Sequence, residues 1–153
     1  MDMKTTQYIR DLENLKKKID DVDDEEIKNS LVKLLCVRTA GLLEVFLKTR
    51  ISEYSKGKVP KEITRFMTAK FKDITNLKSS KFSDVLSTFS EDWSREFNDY
   101  LEEHEQEKSS LDSVVAQRHM IAHGQSSNIS QSYMAQYFND VKNIVYFLDT
   151  VIR

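Results

Sequence analysis

Apolar residues recur along this chain at intervals of three and four, with polar residues between them, almost from end to end. That spacing is the stripe of an amphipathic helix, not the alternation of a strand. The first stripe runs from about Asp2 to Asp20 through Ile9, Leu12, Leu15 or Lys16, and Ile19. The run DDVDDEE, from Asp20 to Glu26, interrupts it. It lacks the glycine and ligand spacing of a calcium loop, and reads as a turn followed by an acidic first turn that suits the next helix dipole.

The second segment, from about Asp24 to Tyr54, is the most apolar. Ile27, Leu31, Leu34, Leu35, Leu42, Val45 and Phe46 form one wide face, and Leu43, Leu47 and Ile51 add apolar groups elsewhere. A helix apolar nearly all round is central or lies in an interface. SKGKVP ends it, and Pro60 fits the first position of a third helix, PKEITRFMTAKFKDITNL. The stretch from Lys78 to Lys108 predicts one long helix, or two with a bend near Ser90, in which Phe89, Trp93 and Phe97 make a packing stripe and His104 is exposed. SSLDSVVAQRHMIAHG follows, with Ser109 or Ser110 as its N-cap and Gly124 just past its end. After the loop QSSNIS a last helix spans about Ser130 to Ile152. The pattern predicts an all-α, up-down bundle of about five helices, in a single domain over residues 1–153.

Composition supports this and removes several function classes. Three glycines and one proline in 153 residues leave little room for the turns of an all-β domain. A net charge of −2 announces no overall basic field, although a local basic site is compatible with it. The single cysteine, Cys36, can form neither an internal disulfide nor a cysteine metal cluster. Among leucines it reads as a small buried apolar residue rather than a nucleophile. A reducing, cytoplasmic location is the corresponding expectation. No run approaches the roughly 18 apolar residues of a membrane span, and the first residues lack the apolar core of a secretion signal.

One stretch breaks the rule of the stripes. In AQRHMIAHGQ, Arg118 falls near the middle of the apolar side carried by Leu111, Val114, Val115, Ile121 and Ala122. A guanidinium stays charged, so on a buried face it must be paired or must open on a pocket. A structural, salt-bridged arginine is one reading. His119 and His123, four residues apart, flank the stripe. A metal pair is disfavoured, because the glutamate of the His-Glu-x-x-His motif is absent and no third ligand is spaced for it. No metal and no cofactor are expected. His123 could simply cap the helix. Alternatively the imidazoles do acid–base chemistry, for which a pKa near 6.5 is suited. Arg118 and His123 lie about 140° apart around an ideal helix and roughly 7.5 Å along it. They could line one cleft from two sides, or serve a site shared with a second copy of the helix. Such a pair suits RNA cleavage, the imidazole moving a proton at the 2′- or 5′-oxygen and the guanidinium holding the phosphate.

Arg118-x4-His123, with AHG closing a helix of a small bundle, resembles the signature of the HEPN superfamily. The arrangement looks like its branch called RiboL-PSP-HEPN or MAE_28990/MAE_18760-like. The second part of the resemblance is LLCVRTAGLLEVFLK, in which Glu44 takes the acidic position of the second helix and Lys48 follows it by four. The resemblance implies a metal-independent endoribonuclease acting as a homodimer. Two copies of the motif helix would form one composite cleft, and cleavage would leave a 2′,3′-cyclic phosphate or 3′-phosphate and a 5′-hydroxyl. It also implies a role as toxin or effector in toxin–antitoxin or phage-defence systems, with an antitoxin or defence protein as partner. His119 stands where members commonly carry asparagine. The tyrosine used to silence some toxins is absent, since Gly124 and Gln125 follow His123. The site candidates are Arg118 and His123, then His119 and Glu44, with Lys48 and Arg50 as weaker phosphate contacts. Arg38, on the apolar face of the second segment, is expected to pair with an acid across the core or to reach the cleft. The rival reading is a non-catalytic HEPN module that binds a nucleotide, RNA or a protein partner.

Overall fold

A computed structural model of residues 1–153 is entirely helical. Helix α1 spans Met3–Asp20 and α2 spans Glu25–Ser55. Each opens on an aspartate: Asp2 Oδ1 accepts from the Thr5 amide at 2.7 Å, and Asp24 Oδ1 from the Ile27 amide at 3.0 Å. Glu25 and Glu26 occupy the first turn of α2, so the acidic run is a turn and a helix start, as its pattern predicts. Seven helices replace the expected five or so: α3 (Lys61–Phe71), α4 (Ser79–Phe89), α5 (Glu91–Glu103), α6 (Glu105–Ala122) and α7 (Gln131–Val151) complete the chain.

Two breaks fall within the stretch from Lys78 to Lys108, which the pattern reads as one long helix or two. Ser90 is extended, with φ −158° and ψ 120°, and its hydroxyl accepts from the Trp93 amide, so it ends α4 and caps α5 at once. That break takes Phe89 off the stripe of Trp93 and Phe97. Phe89 is exposed and stacks on Phe71, whereas Trp93 is buried edge-on against Tyr54. The second break is His104, at φ −127° and ψ 60°, which is half-buried with its ring stacked on Tyr100 rather than exposed. Helix α6 therefore begins at Glu105, and neither Ser109 nor Ser110 caps it. Ser110 is buried, and its hydroxyl donates to Asp140 of α7 at 2.6 Å.

Helix α2 is central, packing against α1, α3, α6 and α7. This is why it is apolar nearly all round: Leu35, Cys36, Leu42, Leu43, Phe46 and Leu47 are all buried. Cys36 is fully buried with its sulfur 3.6 Å from the Val114 carbonyl, and burial pushes its thiol up to about 12. Ile27 and Leu34, assigned to the same apolar face by pattern, are instead exposed at the edge of the bundle. No helix is long and apolar enough to cross a membrane.

The third segment stops earlier than its pattern predicts. Pro60 is the N-cap of α3 rather than its first residue, and the helix ends at Phe71 instead of running to Leu77. Residues 72–78 form a connection in which Asn76 takes φ +53°, a left-handed conformation that asparagine tolerates better than other side chains with a Cβ. Asp112 of α6 then receives the start of α4, its two carboxylate oxygens accepting from the Ser79 amide at 2.7 Å and the Ser79 hydroxyl at 2.9 Å. These bonds lay the connection across α2 and α6.

Candidate active site

Arg118 is positioned by α6 and answered by two other parts of the chain. Its Nη1 donates to Glu44 Oε1 of α2 at 3.0 Å and to Asn76 Oδ1 at 2.9 Å. The Asn76 amide donates to the same Glu44 oxygen at 3.2 Å. The three residues close a triangle of hydrogen bonds across α2, α6 and the α3–α4 connection. The guanidinium and carboxylate side chains are only 24% and 14% exposed, so the pair is partly withdrawn from water without being sealed. The arginine in the apolar stripe is therefore paired, and it lies at a seam where the stripe meets solvent.

The end of α6 is fixed by its backbone. Gly124 has φ +68°, the conformation glycine adopts at no side-chain cost. Its amide donates to the Ile121 carbonyl at 3.1 Å, and the Gln125 amide donates to the Met120 carbonyl at 2.9 Å. Those paired bonds are the Schellman ending of a helix. They hold His123 as the C-cap residue, at φ −94° and ψ 12°, one position beyond the last helical turn. The loop beyond is tied back by the buried Ser127, whose hydroxyl donates to Gln117 Oε1 at 2.6 Å. His119 and His123 are both exposed, their ring centroids 4.3 Å apart and the planes tilted by 56°. Nowhere in the chain do three His, Cys, Asp or Glu side chains converge as a metal-ligand set would.

Pattern reading passed over two residues of this site. Asn76, a corner of the triangle, is one. Tyr8 of α1 is the other: its hydroxyl donates to the Arg38 carbonyl at 3.0 Å, and the Arg38 guanidinium sits 5.4 Å from its ring centroid. Burial raises the Tyr8 phenol above its ordinary value, while Arg38 opposes the shift and Glu44 adds to it. Arg38 pairs with this ring, not with an acid across the core. Space for Tyr8 is made by Gly41, where a Cβ would stand 2.7 Å from the phenol oxygen. A glycine in the middle of a long helix was the available signal for that close approach.

The two weaker candidates fare differently. Lys48 is half-buried on α2 and has no carboxylate partner. Arg50 is engaged within the bundle, its Nε 3.2 Å from Asp149 Oδ1 of α7. It serves as a link between α2 and α7, and the structure does not bring it to the Arg118 triangle.

A family model described as RiboL-PSP-HEPN matches residues 4–153 of the chain. No curated protein and no solved structure matches it.

Proposed function

The chain belongs to the RiboL-PSP-HEPN family, and from that premise we propose that it is a metal-independent endoribonuclease whose working site is shared between two copies. The observation that carries this reading is the contrast at the end of α6. A guanidinium is held in place by Glu44 and Asn76, and an exposed imidazole pair follows it at the end of the same helix.

In this reading Arg118 holds the scissile phosphate and the negative charge that grows on its oxygens. Its other guanidinium donors remain available, because the internal bonds both use Nη1. Attack by the ribose 2′-oxygen on phosphorus forms a P–O bond and breaks the bond to the 5′-oxygen. The 2′-hydroxyl proton goes to a neutral imidazole, and the departing 5′-oxygen takes a proton from a protonated one. The products are a 2′,3′-cyclic phosphate and a 5′-hydroxyl. His123 is the proton carrier of choice, being at the open end of the helix, and His119 supplies the second imidazole. Glu44 is a positioning residue that acts through Arg118. A second copy of α6 brings further groups to the same phosphate, which removes the need for Arg118 and His123 of one chain to converge across 140° of helix. The biological setting proposed is that of a toxin or defence effector acting in the cytoplasm, held in check by a protein partner.

The test is incubation of purified protein with total RNA in EDTA. Wild type should cleave, and Arg118→Ala and His123→Ala should not. Absence of cleavage by wild type at concentrations where light scattering finds a dimer, or equal cleavage by His123→Ala, would overturn the nuclease in favour of a non-catalytic binding module.

A further inference from the structure

Beside the Arg118 triangle lies a cleft of about 560 Å³, within the range that holds a small organic ligand. It runs between the start of α4 and the outer face of α6. Its floor is apolar, made by Val115, Ala116 and Met120. Asn76 and His119 stand on its rim, so the cleft borders both the arginine network and the imidazole pair. Lys78 and Lys81 complete the rim. Neither ammonium has a carboxylate within ion-pair distance. Lys81 donates to the Thr75 carbonyl at 2.5 Å, and Lys78 makes no side-chain hydrogen bond at all.

The one acid in the cleft forms no ion pair with either lysine. Asp112 is bound to the Ser79 amide and hydroxyl. It satisfies the start of α4 rather than a lysine. With the Asp112 carboxylate counted against the two lysines, the lining keeps one net positive charge at the edge of an apolar floor, in a chain of net charge −2. Single-stranded nucleic acid is recognised by that combination: a surface on which a base can lie, and cations spaced along the backbone.

Resting on the ribonuclease reading, we infer that this cleft is a subsite for the nucleotide next to the scissile phosphate. The base lies on Met120 and Ala116, and the neighbouring phosphates meet Lys78 and Lys81. His119 then has a second task, as the wall between the base subsite and the reacting phosphate. This gives a local reason for an imidazole at that position. The subsite makes cleavage depend on a flanking unpaired base, so double-stranded RNA is a poor substrate.

The test uses full-length protein carrying His123→Ala, so that binding is read without cleavage. Fluorescence anisotropy follows a labelled single-stranded RNA of mixed sequence, and a matched oligomer lacking bases. The base-bearing RNA should bind about tenfold more tightly than the abasic one, and Met120→Asp should abolish that difference. Lys78→Ala with Lys81→Ala should weaken binding about tenfold and reduce the salt dependence of log Kd by about 1.4. Lys78→Glu alone, at an exposed residue without side-chain bonds, should weaken binding while leaving urea unfolding unchanged. Equal affinity for the two oligomers, unchanged Kd in the lysine variants, or no binding of RNA overturns the subsite. If wild type cleaves RNA but the lysine variants bind as the parent does, the subsite fails and the nuclease stands. If wild type never cleaves but binding depends on Lys78 and Met120, the nuclease fails and the cleft stands as a site for single-stranded RNA without a scissile phosphate beside it.

Discussion

Arg118 of α6 and Glu44 of α2, 74 residues apart in the chain, meet at 3.0 Å through Nη1 and Oε1. The pair sits where water still reaches both groups, so removing one partner strands no sealed charge and should cost less than breaking a fully buried ion pair. A double-mutant cycle on Arg118→Ala and Glu44→Ala should give a coupling energy of about 1 kcal/mol in urea unfolding. Glu44→Gln keeps an acceptor for both donors but removes the charge. It should cost less stability than Glu44→Ala, yet lower RNA cleavage about tenfold through a less well-oriented guanidinium. If Glu44→Gln cleaves as wild type does, Glu44 has no positioning role.

Variants at His123 and Gly124 test the proposed catalysis separately from folding. His123 is exposed and makes no side-chain hydrogen bond, so His123→Ala should move stability by no more than about 0.5 kcal/mol while removing cleavage by about a hundredfold or more. Gly124→Ala places a Cβ at φ +68° and should cost about 1 kcal/mol. Its effect on cleavage should exceed what the loss of folded protein explains, because the Schellman bonds that aim His123 are strained. Gly124→Asn, which tolerates that conformation, should restore most of both. Urea midpoints and initial cleavage rates on one fluorescent RNA read the two effects side by side.

The residues that carry the proposed chemistry were legible because they violate a pattern. Arg118 stands in a leucine and valine stripe, and Glu44 interrupts the most apolar helix; a charge in such a place demands a partner. That Arg118 is salt-bridged was legible as one option, but not with which acid, since side-chain spacing fixes which face a residue is on, not which helix lies opposite. Asn76 was hidden for a different reason. Phe66, Phe71, Ile74 and Leu77 continue a plausible helical spacing, but Asp112, 33 residues beyond Ser79, captures the start of α4 and a connection replaces the last turns. Local pattern cannot anticipate a capping group supplied by another helix. The same applies to Ser110, whose hydroxyl suits a helix cap but is used by Asp140 inside the bundle. Pattern located the helices well and their ends less well, and the site is assembled from ends.

Gly41 and Tyr8 should be energetically coupled. In a helix interior, glycine to alanine normally gains about 1 kcal/mol. Here the added methyl would press on the phenol oxygen at 2.7 Å and displace its hydrogen bond to the Arg38 carbonyl. Gly41→Ala should therefore gain little or destabilise in wild type. In a Tyr8→Phe background, where no oxygen is in the way, it should be more favourable by about 1 kcal/mol. Additive effects in urea unfolding would mean that Gly41 is not kept small by Tyr8.

Cys36 predicts how the fold responds to alkali. Its thiol is fully buried, and its pKa rises from 9.0 to about 12 because the bundle disfavours the thiolate. Above pH 9.0 the unfolded chain loses this proton while the folded chain keeps it. The folded state then binds more protons than the unfolded state, so stability must fall as pH rises. The contribution is intact below pH 9.0 and declines through the window up to about pH 12, at about 1 kcal/mol per pH unit. Tyr8, raised chiefly by burial, acts in the same direction from pH 10.0 upward. Cys36→Ala lowers the whole stability curve through a small cavity, but its slope between pH 9.0 and 10.0 should flatten, because alanine has no proton to lose. Urea midpoints over that interval, with wild type and Cys36→Ala compared at each pH, provide the measurement. Parallel slopes would show that Cys36 ionises without opening the bundle. In that case a thiol reagent would also label it at the rate of a free thiol, whereas a thiol sealed behind α6 reacts no faster than the protein unfolds.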